Sequence, residues 1–162
     1  LVHSYLGLTD ALNLANDIYH KFSEPSVERS GRFAYFMQIL GQTYFNLDNF
    51  DRAIALYGQA LTFAEAGHYT QIKAKTLNGF AEIDRHQQSF AMALTHHTEA
   101  IELLDQIGAK CDLADAYFQL GLTYRAMREV SKSRESFDRA VTLFLEMRAP
   151  NQVEKVFKQA TL

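Results

Sequence analysis

The feature that most constrains the fold of this chain is a sequence pattern that recurs at a fixed spacing, starting at positions 40, 80 and 120. Leu40-Gly41-x-x-Tyr44 returns as Leu120-Gly121-x-x-Tyr124, and between them stands the weaker Phe80-Ala81-x-x-Asp84. A second motif keeps the same offset in three versions: Asn49-Phe50…Ala53…Tyr57…Ala60-Leu61, Ser89-Phe90…Ala93…His97…Ala100-Ile101 and Glu129-Val130…Ser133…Phe137…Ala140-Val141. A fixed period of this length is typical of stacked helix pairs, because each pair is too small to bury its own apolar face. The sequence therefore predicts an all-α solenoid of antiparallel helix pairs.

The sizes of the motif residues support this prediction. Small residues such as Gly41 and Gly121 stand where two helix backbones must approach closely, and large ones such as Tyr57 and Phe137 can fill the gaps they leave. Polar turns at 46–49 and 86–89 contain Asn, Asp and Ser residues that favour turns and helix N-caps. We predict helices at residues 8–22, 27–47, 50–66, 70–85, 90–107, 111–127, 131–147 and 151–160. Gly67 and Gly108 are expected to join successive pairs.

These motif residues resemble the tetratricopeptide repeat (TPR) family in a 40-residue form, from about Ala34 to Met147. The proline that usually closes the family's repeat is missing, and Glu65, Asp105 and Leu145 stand in its place. The resemblance implies a right-handed superhelical solenoid with about three full repeats, a leading half-repeat and a C-terminal capping helix. It also implies a binding surface on the inner, concave face.

The predicted organisation follows the period. We expect the second helix of a truncated repeat at 1–24, full repeats at 25–68, 69–108 and 109–148, and a capping helix at 149–162. Val153, Val156 and Phe157 are predicted to cover the last repeat. Because the chain begins with Leu1 and with half a repeat, we expect a fragment of a larger protein whose solenoid continues upstream.

Positions that line the groove in the family can be carried over onto this sequence. The resemblance implies a partner-binding set of polar, charged and aromatic residues: Tyr35, Gln38, Gln42, Phe45 and Asn46 in repeat one, Lys75, Asn78, Glu82, Arg85 and His86 in repeat two, and Asp115, Phe118, Gln119, Leu122 and Arg125 in repeat three. Amide side chains in this set could hydrogen-bond a peptide backbone. Its aromatic and apolar members would otherwise be wasted on a solvated face.

Some family members hold a C-terminal carboxylate with lysines and asparagines spread over adjacent repeats. Here Lys75, Asn78 and Arg85 fall in one repeat, whereas Gln38 and Asp115 occupy other groove positions. The clamp is incomplete, so the sequence favours an internal peptide segment of mixed character.

The second repeat departs from the pattern at Asp84 and His97, where aromatic residues stand in the other two. A buried carboxylate is costly unless it is paired, so we predict that Asp84 contacts His97 or lies at an exposed edge. A structural polar pair is favoured over a catalytic dyad or a pH switch, since no nucleophile accompanies the two residues. No metal site is expected, because His96 and His97 point in different directions on a helix and no His-x3-His or Cys-x2-Cys spacing occurs.

Composition excludes several classes of protein. A net charge of −3 with mixed signs argues against a nucleic-acid surface. No apolar stretch approaches the roughly 20 residues of a membrane-spanning helix. The single cysteine, Cys111, suits a reducing, cytoplasmic setting. Phosphate loops, nucleophile elbows and zincin helices are absent from the sequence, so neither an enzyme nor a cofactor is expected.

Three functions stay open at this point. The chain could be a scaffold module that docks a peptide or helix of a partner in its groove. It could instead be a sensor segment of a multidomain signalling protein or transcription regulator. The third possibility is a homodimer through an open N-terminal face formed by Leu12, Ala15 and Tyr19.

Overall fold

A computed structural model describes residues 27–160 of the chain, and these residues form α-helices joined by short turns. Seven helices follow one another in the described part: α1 (Val27–Asn46), α2 (Phe50–Ala66), α3 (Thr70–His86), α4 (Phe90–Gln106), α5 (Lys110–Ala126), α6 (Val130–Glu146) and α7 (Pro150–Ala160). The predicted helix bounds agree with these to within one residue at each end. The helix predicted at 8–22, the half-repeat at 1–24 and the open face of Leu12, Ala15 and Tyr19 lie outside the described residues.

The helices pack as consecutive antiparallel pairs, α1 with α2, α3 with α4, and α5 with α6, and α7 packs on α6. The first helices of the pairs also contact one another, α1 with α3 and α3 with α5. This side-by-side row of first helices forms one continuous face of the solenoid. Functional side chains on that face therefore come from helices that lie a full repeat apart in the sequence.

The turns between helices share one backbone conformation. From α2 onward a new helix begins every half-repeat, and a residue with positive φ stands two positions before each start. The residues with φ between 54° and 68° are Asp48, His68, Gln88, Gly108, Arg128 and Arg148. The next N–H closes the helix end, as in the 2.8 Å bond from Ser89 N to the carbonyl of Asp84. Of the two glycines expected at the joints, Gly108 holds this position, whereas Gly67 precedes it and His68 takes the left-handed conformation.

Local signals explain where some helices begin. The side chain of Asn49 caps α2 by accepting a hydrogen bond from Arg52 N at 3.2 Å. Ser89 stands at the same position before α4 but makes no side-chain cap bond. Pro150 is the first residue of α7, where its fixed φ suits a helix and its missing N–H costs nothing.

The core confirms the predicted matching of small and large residues. Tyr57 is fully buried between two glycines, since a Cβ at Gly41 would lie 2.6 Å from its ring and one at Gly79 would lie 2.4 Å from it. Phe137 packs in the same way on Gly121, where a Cβ would lie at 2.6 Å. The last repeat is covered by Val153 and Val156 of α7, which are buried. Phe157, which was predicted to cover this repeat as well, is 55% exposed.

Candidate binding groove

A cleft of about 560 Å³ runs along the face formed by the first helices. Leu104 of α4 and Phe144 of α6 contribute to its floor, and most of its lining comes from α1, α3, α5 and α7 and is polar: Gln38, Gln42, Thr43, Asn46, Lys75, Asn78, Glu82, Cys111, Asp112, Asp115, Gln119, Gln152 and Lys155. Eight of the predicted groove residues are thus brought together here: Gln38, Gln42, Asn46, Lys75, Asn78, Glu82, Asp115 and Gln119. Amides and charges at this density can bind a peptide backbone and its charged side chains.

Three carboxylates line the cleft, and their surroundings differ. Asp112 has two partners, the ammonium of Lys75 at 3.3 Å and the amide of Gln71, whose Nε2 donates at 2.6 Å. Burial raises the pKa of Glu82 from 4.5 to about 7, an effect that Arg85 partly offsets. Burial likewise raises the pKa of Asp115, against the attraction of Lys155. The protein therefore keeps two carboxyl groups in the cleft where their ionised forms are poorly solvated.

Neutral side chains in the cleft are positioned by hydrogen bonds from the core. The hydroxyl of Tyr57 donates to Oε1 of Gln42 at 2.9 Å. Oδ1 of Asn78 lies 2.9 Å from Nδ1 of His97, and the other ring nitrogen of His97 lies 3.0 Å from Oγ1 of Thr123. Burial lowers the pKa of His97 to about 3, so the ring is neutral, and one of its nitrogens donates while the other accepts. These bonds fix which face of each amide points into the cleft.

A second cleft of about 590 Å³ adjoins the first and is basic. Among the described residues its lining is Arg85, His86, Phe118, Gln119, Leu122, Arg125, Ala126, Lys155 and Gln159, with no carboxylate side chain. The guanidinium of Arg85 donates to the backbone and side-chain oxygens of Gln119, at 3.1 and 3.0 Å. Arg125 makes the same pair of bonds to Gln159. These two residues lie one repeat after Arg85 and Gln119 in the sequence. The predicted residues Arg85, His86, Phe118, Leu122 and Arg125 are placed around this cleft.

Two predicted groove aromatics are in fact part of the core. Phe45 is 9% exposed, and its ring lies 5.2 Å from His86 and 5.7 Å from Phe50 between centroids. Phe118 is 3% exposed and packs on Phe137. Tyr35, at 49% exposed, lines neither cleft. The expectation that Phe45 and Phe118 lie on a solvated face was therefore wrong, because both rings turn between neighbouring helices.

The predicted contact between Asp84 and His97 does not form, because Asp84 pairs with His96 instead. Oδ2 of Asp84 lies 2.8 Å from Nδ1 of His96, and both side chains are partly buried. His97 turns the other way, into the core, where Asn78 and Thr123 satisfy it. Asp84 and His97, the two polar residues at which the second repeat departs from the pattern, therefore have different partners. Among residues 27–160, no group of histidine, cysteine and carboxylate side chains could hold a metal ion.

Sequence reasoning missed two charged residues of the cleft, Asp112 and Lys155. Asp112 lies one helical turn before Asp115, so the 3.6-residue period places both on one face of α5. Lys155 stands one full repeat after Asp115, and the period alone would have placed it on the groove. It was overlooked because α7 was interpreted only as a cap.

The paired helices, the glycine–aromatic contacts and the polar concave face together define a helical-repeat solenoid. The sequence matches the tetratricopeptide repeat family over residues 34–66 and 72–146, so the chain belongs to this family. A comparison with curated proteins found no significant match by sequence.

Two solved structures share the fold. One is the N-terminal domain of stress-induced protein-1 (STI-1) from C. elegans, 20% identical, with a TM-score of 0.58 over 80% of this chain and 95% of that one. The other is BtubC (BKLC) from P. vanneervenii, 15% identical, with a TM-score of 0.68 over 96% of this chain and 74% of that one. At these identities the likeness concerns the fold alone. No helix within the described residues is long and apolar enough to cross a membrane.

Proposed function

We propose that this chain is a scaffold module that binds a peptide segment or helix of a partner protein along the face formed by α1, α3, α5 and α7. The family to which it belongs is a general protein–protein interaction module. The observation that carries the proposal is the polar cleft itself, where polar side chains of four helices converge on a volume of about 560 Å³. This volume suits several residues of an extended peptide better than a large folded surface.

No catalytic role is proposed, because the matched family is a repeat family that is typically non-catalytic. The ionisable residues of the cleft are better suited to recognition. The exposed free thiol of Cys111 supports a reducing, cytoplasmic setting. A role within a larger signalling protein and a homodimer through the N-terminal end stay predictions.

Capture of partners from lysate of the native host tests the proposal. The chain is compared with Asn46→Arg/Gln152→Arg, which places two bulky cations at exposed positions that line the cleft. Ala55→Arg/Thr95→Arg is the matched control, at exposed positions of α2 and α4 that line neither cleft. A partner kept by the control and lost by the cleft variant supports docking in the groove. Equal capture by all three chains contradicts it.

A further inference from the structure

Two carboxylates in the cleft have no partner of their own. Within residues 27–160, neither Glu82 nor Asp115 makes a hydrogen bond or an ion pair, although Glu82 is only 7% exposed and both line the cleft. Ionising a carboxyl group that is withdrawn from water and has no partner is costly, and Glu82 is withdrawn further than the partly buried Asp115. The arrangement of this pair therefore calls for a cation that the chain itself does not supply.

The chain's own cations near Glu82 are engaged elsewhere. Arg85, one turn further along α3, directs its guanidinium to the two oxygens of Gln119. Lys155 of α7 holds its ammonium 4.7 Å from the centroid of the Phe118 ring, and Lys75 pairs with Asp112. Arg85 and Lys155 attract Glu82 from a distance, and Asp115 repels it. The α1 side chains that line the cleft are uncharged.

The lining of the cleft has more acidic groups than basic ones. Its three carboxyl groups, those of Glu82, Asp112 and Asp115, face the two ammonium groups of Lys75 and Lys155. Glu82 and Asp115 lie on adjacent first helices, α3 and α5, and line the same cleft, so we expect a single long side chain in the cleft to reach both.

Resting on the proposed docking function, we propose that the groove recognises its partner peptide through a lysine or arginine side chain whose cation binds between Glu82 and Asp115. Ammonium and guanidinium groups form charge-assisted hydrogen bonds with carboxylates, which are about twice as strong as neutral ones. The long apolar stem of either side chain lets the charge enter a cleft while the peptide backbone stays at its rim. The adjoining basic cleft, with Arg85 and Arg125, repels the same cation. The cation is therefore restricted to the cleft that contains Glu82 and Asp115.

Selection from a displayed random peptide library tests this proposal. The library is panned against the whole chain, against Glu82→Gln/Asp115→Asn, and against Glu102→Gln/Asp105→Asn, a control with the same charge change at exposed positions of α4. We expect the unaltered chain and the control to enrich peptides with lysine or arginine at one fixed position. The cleft variant is expected to lose that enrichment.

A selected peptide is then used in a double-mutant cycle, in which the peptide and the chain are each changed and the binding affinities are measured. Replacing its lysine by norleucine, which keeps the stem and removes the charge, should weaken binding to the unaltered chain at least about tenfold. On Glu82→Gln/Asp115→Asn the same replacement should change affinity less than about twofold. The single variant Asp115→Asn, with an intermediate loss expected, replaces the double variant if that chain does not fold.

The possible failures are distinguishable. Peptides that bind the cleft without a basic residue, or a norleucine effect that is equal on the unaltered chain and the cleft variant, overturn the cation proposal and leave groove docking intact. If no peptide is enriched over an empty support, both the docking function and the cation proposal fall.

Discussion

The ring of Tyr57 lies so close to Gly41 that a Cβ at position 41 would stand 2.6 Å from Cδ1 of the tyrosine. The same relationship joins Phe137 to Gly121 in the third repeat. In the second repeat both members change together, to His97 and Ala81. In the first and third repeats, an aromatic ring that packs on a glycine thus holds the two helices of the pair close together. In the second repeat, the smaller ring of His97 is paired with Ala81, which carries a Cβ.

Gly41→Ala should lower the free energy of unfolding by about 2 kcal/mol, because the buried Tyr57 ring cannot move away from the added methyl. Gly58→Ala is the matched control, since a Cβ there meets no atom within 4 Å. Alanine at that helical position should raise stability by about 0.5–1 kcal/mol. Urea denaturation of both variants gives the two values, and a stabilising effect at position 41 would contradict this packing.

The paired change in the second repeat predicts an energetic coupling. His97→Phe alone should be strongly destabilising, because the larger ring meets the Cβ of Ala81 and leaves Asn78 without its partner. Ala81→Gly/His97→Phe restores the combination found in the third repeat. A double-mutant cycle in urea should show a favourable coupling of about 1–2 kcal/mol. Additive effects would mean that Ala81 and His97 pack independently.

Replacing a left-handed turn residue by glycine should raise the free energy of unfolding. Gln88 and Arg128 are exposed, with φ of 59° and 62°, a conformation that costs residues other than glycine about 1 kcal/mol. Gln88→Gly and Arg128→Gly should therefore each raise the unfolding free energy by about 0.5–1 kcal/mol. Gly108→Ala, at the equivalent position with φ of 68°, should lower it by a similar amount. Thermal melts of the three variants check both signs.

The buried carboxyl of Glu82 predicts a pH-dependent effect on stability. Its pKa is raised from 4.5 to about 7, so the folded chain binds a proton more tightly than the unfolded chain between these values. Stability therefore falls as pH rises through this window, and the cost of ionisation is fully present above about pH 7. Asp115 acts in the same direction, while Arg85 and Lys155 oppose the effect on Glu82.

Glu82→Gln removes this cost. Relative to the unaltered chain, the variant should gain on the order of 2 kcal/mol in unfolding free energy between about pH 5 and about pH 8. Unfolding in urea at the two pH values measures the gain. His97 adds an opposite trend at lower pH, because its depressed pKa makes protonation unfavourable in the fold, but this trend is common to both chains and cancels in the difference.

The repeat period was sufficient to predict the fold, since it fixes the helices, their pairing and the small residues between them. It could not choose between His96 and His97 as the partner of Asp84. Adjacent residues on a helix point about 100° apart, and His97 is satisfied partly by Thr123 of the following repeat. The pattern of a single repeat does not predict contacts between residues of successive repeats.

The groove was predicted less well than the fold, for a related reason. The family positions identify which Cα atoms face the concave side, and Glu82, Asp115 and Gln119 from that set line the cleft. They do not identify where a long side chain ends. The rings of Phe45 and Phe118 fold back between helices, whereas Lys155 reaches the cleft from α7.

The location of a bound peptide tests the central claim most directly. A photoreactive benzoylphenylalanine is placed at Gln152, which lines the cleft, or at Thr95, an exposed position of α4 that lines neither cleft. Each chain is then irradiated with a peptide selected on the unaltered chain. We predict cross-linking from position 152 and none above background from position 95. Cross-linking from position 95 with none from position 152 would contradict docking in the groove.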